Sequence, residues 1–142
     1  MTQKQARIAT LIEPCRGRGG DARYLAFFHY FNCQQFYEAH EVLEDLWLPQ
    51  RKAPNGHFYK GLIQLAGAFV HIQKGRVSPA RALLALAESN LRPYPPRYNS
   101  LDVANVLRLI EKWSARLEPG SSTPSINAEN APQLTLESVA GP

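Results

Sequence analysis

Apolar side chains recur every three to four residues through most of this chain, and that recurrence divides it into helices. Tyr24, Leu25, Phe28 and Phe31 fall on one side of a helix that Asp21 is placed to cap. Residues 33–48 form a second periodic segment, with Phe36, Leu43 and Trp47 on one face, Asn32 as its candidate cap and Pro49 as its stop. Pro54 and Asn55-Gly56 then mark a turn. Residues 57–74 are apolar almost all round: Leu62, Leu65, Phe69 and Ile72 share one face, while Ile63 and Val70 lie on another. Such a helix belongs in the middle of a bundle. Ser78-Pro79 opens a fourth helix, by the N-cap and first-turn preferences of those residues, and Pro93 ends it. The proline-rich run from Arg92 to Tyr98 reads as an extended aromatic strap. Val103, Val106, Leu107, Ile110, Trp113 and Leu117 mark a last helix over residues 102–117. No strand pattern competes. The predicted class is all-α, with about five helices packed around a central antiparallel hairpin of the second and third, which a short loop joins.

The two ends differ from this middle. Residues 1–20 hold a short helical pattern over 4–12, then Pro14 and Gly17-Arg18-Gly19-Gly20, and are expected to form a flexible leader. Residues 21–118 are expected to form a single helical domain, and residues 119–142, rich in Gly, Ser, Pro and Asn without apolar period, a disordered C-terminal tail. A chain of 142 residues can bury a core without staples. Its two cysteines, Cys15 and Cys33, form neither a Cys-x-x-Cys pair nor a disulfide framework, so reduced thiols are expected. No apolar run approaches ~18 residues and the N-terminus is polar, which predicts a cytoplasmic protein without a membrane segment. The net charge is +4, but the sixteen Lys and Arg residues are scattered singly or in pairs. No basic stripe interleaved with aromatics is present, so nucleic acid is not an expected partner.

Chemistry concentrates in the second helix. Between Tyr37 and Trp47 lie Glu38, His40, Glu41 and Glu44, with His40 and Glu44 one turn apart at the border of the apolar face. The third helix offers a narrow stripe in return: Lys60, Gln64 and His71, with Gly67 and Ala68 between. Packed as a hairpin, the two would enclose a pocket of Tyr37, His40, Glu41, Glu44, Lys60, Gln64 and His71. Three readings of it are open. As a metal site, His40 and Glu44 chelate one divalent ion and His71 adds a third ligand, although the zinc protease motif has Glu44 where it needs a second His, and the di-iron motif has Tyr37 where it needs a Glu. As an acid–base pair, His40 and Glu44 could transfer protons, yet no activated nucleophile accompanies them: Cys33 reads as a packed thiol and Ser78 as a cap. As a structural seam, the same groups satisfy one another and set helix register. The leading expectation is a pocket for a small molecule or metal, with no catalytic residue assigned. The alternative is a non-catalytic scaffold or interaction module, with Trp47, Tyr94 and Tyr98 contributing to self-association in a homo-oligomer.

The segments Phe36-Tyr37-Glu38-Ala39-His40-Glu41-Val42-Leu43-Glu44 and Lys60-Gly61-Leu62-Ile63-Gln64-Leu65-Ala66, with His71 and Gly75, resemble a small helical family catalogued as domain of unknown function 309. Tyr94-Pro95 and Leu101-Asp102-Val103 extend the likeness, which spans residues 21–117. The resemblance implies an all-α fold, known from bacterial, archaeal and plastid members, with Glu38, His40, Glu41, Glu44, Gln64 and His71 as the characteristic polar positions; it implies no activity. Ser100 stands where the family pattern leads one to expect a glycine, a departure that bears on a turn.

Overall fold

Capping chemistry and aromatic packing together build the molecule, of which a computed structural model describes residues 1–120 and 124–137. Helix α1 (Gln3–Ile12) opens on a capping box between Thr2 and Gln5. Helix α2 (Ala22–Asn32) starts where the Asp21 carboxylate accepts from the Arg23 backbone N–H. Helices α3 (Phe36–Trp47), α4 (Gly56–Gln73) and α5 (Val77–Leu91) follow. A hairpin of β1 (Arg97–Tyr98) and β2 (Leu101–Asp102) leads into α6 (Val103–Arg116), which Asp102 caps through the Asn105 N–H. The predicted all-α class holds, with six α-helices among the described residues rather than about five.

Neighbouring helices run antiparallel, as their contacts show. Arg23 at the start of α2 meets Asp45 near the end of α3, while Phe31 and Phe36 meet at the turn between them. Phe36 stacks on Phe69 at 5.2 Å and Trp47 lies under Lys60, which sets α3 against α4 in opposite senses. Gly61 abuts Leu91 and Gly67 faces Leu83, so α5 returns along α4. Phe69 also meets Phe31 and Trp113 edge-on, at 5.7 and 5.1 Å, and so joins α2, α3, α4 and α6 in one core. No charged, amide or hydroxyl-bearing side chain other than tyrosine is buried outright among the described residues.

Four expectations need correction. The proline-rich strap ends in a small antiparallel hairpin, whose Asn99 and Ser100 take φ of 51° and 63°, as a two-residue turn of this hand requires. Two-residue strands are too short to show a period of two in the sequence. The second predicted helix starts at Phe36 and not at 33, because Gln34 adopts φ 63° and closes α2. Ser78 and Pro79 lie inside the first turn of α5, two positions later than a cap and first position. Asn32 caps nothing; its side chain holds the backbone of Leu134.

Segments near both ends pack on the core. Within the residues expected to form a leader, α1 buries Ile8 and Ile12, and Cys15 beyond it is also buried. Of the tail expected to be disordered, residues 121–123 and 138–142 lie outside the described residues, whereas Leu134 is 1% exposed. Two or three apolar residues in a polar segment form no detectable period, yet each finds a place on the core that the central helices leave uncovered.

Candidate functional site

On α3 the helical period buries Phe36, Ala39, Val42, Leu43 and Leu46, which leaves His40, Glu41 and Glu44 at the half-exposed border beside them. His40 Nδ1 donates to the Tyr37 carbonyl at 3.0 Å. This turns Nε2 toward Glu44, 3.7 Å away. The helix facing that border is α1, not α4. Arg7 donates from Nε and Nη2 to the Glu41 carboxylate at 2.8 to 3.1 Å, both onto Oε1 and Nε also onto Oε2, and Glu41 is only 14% exposed. The hydrogen bond to Glu41 holds the Arg7 guanidinium above its ordinary proton affinity. Lys4 Nζ lies 3.6 Å from Glu44. Two cations three residues apart on α1 thus meet two acids three residues apart on α3, in the register that antiparallel helices impose.

The stripe on α4 turns elsewhere. Lys60 Nζ sits 4.4 Å above the Trp47 ring. Gln64 accepts from Asn90 of α5 at 2.7 Å, and Asn90 in turn lies 3.3 Å from His57 Nδ1. Gly67 presents its bare Cα to Leu83. His71 is half-buried, and its Nδ1 is buried without a hydrogen-bond partner. Tyr37 is exposed and its ring lies tilted against that of His40, at 5.1 Å between centroids. The structure therefore brings His40, Glu41 and Glu44 together, and adds Lys4 and Arg7, which sequence reasoning left in the leader. Among the described residues, no hydrogen bond or ion pair joins Gln64 or His71 to His40 or Glu44.

This geometry bears on each chemical reading. Among the described residues no three His, Cys, Asp or Glu side chains group so as to hold an ion. The acid pair that would bind a cation is already faced by an ammonium and a guanidinium. A groove of about 840 Å³ opens at another place, between the Arg18–Asp21 loop, Tyr24, Tyr59 and the Asn99 turn, with Glu137 at its rim. Tyr24 donates to the Asn99 carbonyl at 2.7 Å there, and burial pushes its hydroxyl well above the usual tyrosine range. None of the candidate pocket residues Tyr37, His40, Glu41, Glu44, Lys60, Gln64 and His71 lines this groove. The expected self-association aromatics are also engaged: Tyr94 donates to the Pro54 carbonyl and accepts from the Phe58 N–H, and Tyr98 donates to Asn55.

Fold and seam together define a small helical domain with a cationic helix laid over an acidic edge. Residues 24–83 match the model of the family described as Domain of unknown function (DUF309). The match covers α3 and α4 with their polar positions and stops in α5, short of the hairpin and α6. No curated protein and no solved structure matches the chain. Among the described residues, no helix is long and apolar enough to cross a membrane.

Proposed function

We propose that this chain is a non-catalytic helical scaffold or interaction module, in which the His/Glu edge of α3 is a structural network that seats α1. One observation carries this reading: the bidentate Arg7–Glu41 pair, with Lys4 on Glu44 beside it, commits both acids of the seam to the chain's own cations. A pocket for a divalent metal or a cationic small molecule needs those carboxylates free and turned toward Gln64 and His71. Gln64 instead supports α5, and Lys60 covers Trp47. Polar groups that find partners within the fold set its register, which is the usual work of such seams.

Two measurements test the reading. Calorimetric titration of the purified chain with zinc, manganese and ferrous ions is expected to show no stoichiometric binding; a saturable site that His40→Ala and Glu44→Ala both abolish would overturn the proposal. In urea denaturation, Arg7→Ala and Glu41→Gln are each expected to lower the midpoint, and the double variant to be no less stable than the weaker single one, since the two changes remove the same interaction. Additive effects would argue against a shared contact.

A further inference from the structure

Residues 132–137 alternate strictly between covered and exposed: Pro132 and Leu134 are buried, Leu136 is half-buried, and Gln133, Thr135 and Glu137 point to solvent. This is the signature of an extended strand with one face on a protein surface. Its backbone is held as a bound peptide is held. The Asn32 amide reads one residue twice, donating through Nδ2 to the Leu134 carbonyl and accepting from the Leu134 N–H, both at 2.7 Å. Gln133 donates back to the Asn32 carbonyl at 3.0 Å. Two residues on, Leu136 bridges antiparallel to Leu101 on β2, and the Glu137 N–H donates to the Ser100 carbonyl at 2.7 Å. The Glu137 carboxylate accepts from Arg97. A buried leucine anchor, main-chain bonds to a sheet edge and one charge pair are the elements of recognition by strand addition.

All of these contacts fall within five consecutive residues, Gln133 to Glu137, and the described residues between α6 and this segment form no helix or strand. Nothing in the contacts requires that the segment come from the same molecule. We propose that the cleft between Asn32 and the Ser100–Leu101 edge is a recognition site for an extended Leu-x-Leu-acid segment, and that its partner is a second copy of this chain, which inserts its own Leu134–Glu137. A second copy carries the one segment whose fit is displayed in the structure, so exchange needs no new interface chemistry. Tethering gives the internal segment an effective concentration on the order of millimolar, so the closed monomer dominates in dilute solution and exchange emerges as protein concentration rises or the internal contact is broken. The proposal names a partner for the interaction-module reading and rests on it. The metal titration tests that reading separately, so a failure of the exchange is distinguishable from a failure of the reading.

Complementation between two full-length variants provides the test. Leu134→Asp spoils the segment and leaves the cleft intact, whereas Asn32→Ala weakens the cleft and leaves the segment intact. Each variant alone is expected to sediment as a monomer, and their equimolar mixture to give a species of twice the mass. The double variant Asn32→Ala/Leu134→Asp should associate with neither itself nor the Asn32→Ala copy. If far-UV circular dichroism shows that Leu134→Asp has lost its helices, Leu134→Ala takes its place in the same mixture. A mixture of folded variants that stays monomeric at high protein concentration overturns the proposal. So does a dimer that the double variant forms equally well.

Discussion

At the scale of single residues, Ser100 shows how a local departure acquires a physical meaning. Its φ of 63° lies in the left-handed region, where a Cβ costs roughly 1–2 kcal/mol and where glycine pays no such penalty. Only its backbone carbonyl is engaged, by the Glu137 N–H, and a glycine would keep that bond. Ser100→Gly is therefore expected to stabilise the protein by about 0.5–1 kcal/mol, after subtracting the ~0.4–1 kcal/mol that a more flexible unfolded chain takes back. A higher urea midpoint at unchanged slope checks this; a lower one would show that the turn is not strained. That the position wants a glycine was readable from the family pattern. Why it does so required knowing that a two-residue hairpin turn sits there.

At the scale of elements, the α4–α5 contact rests on a close approach at a glycine. A Cβ built on Gly61 would lie 2.7 Å from Leu91 Cγ and 3.3 Å from the Ala87 carbonyl oxygen. Leu91 is itself fully buried, so it cannot swing aside into solvent. Gly61→Ala, although it raises intrinsic helix propensity, is expected to destabilise the fold by about 1–3 kcal/mol through overpacking. Thermal denaturation checks the sign: an increase in midpoint would mean that propensity outweighs contact. Helix α4 could be assigned from the sequence because its apolar residues cover nearly the whole circumference. Its partners were less legible. Lys60, Gln64 and His71 share one stripe, and the same stripe suits a neighbour on either side; α5 claims Gln64 through Asn90, and Trp47 of α3 claims Lys60. Helical phase says which side chains lie together and not which surface they meet.

At the scale of the whole molecule, both ends are tied to the central helices, and the two cysteines report on one of them. Cys15 is buried just beyond α1, and that burial pushes its thiol above the ordinary range, whereas Cys33 is exposed between α2 and α3. A thiol reagent at neutral pH is expected to modify Cys33 rapidly and Cys15 only slowly, and Arg7→Ala should accelerate Cys15 specifically by loosening α1. Equal rates at the two sites in the native protein would show that α1 does not stay seated. The central helices α2 to α6, with most of their core faces, follow from amino-acid order alone, since a helix turns through a constant angle and its apolar residues must share a side. The polar residues His40, Glu41 and Glu44 were equally visible. Their partners were not, because Lys4 and Arg7 lie more than thirty residues away, and a periodic pattern cannot say which distant segment crosses it. The docking of Leu134 under Asn32, across a separation of about a hundred residues, was decided in the same way: by core surface left open once the helices had packed, which exists only in three dimensions.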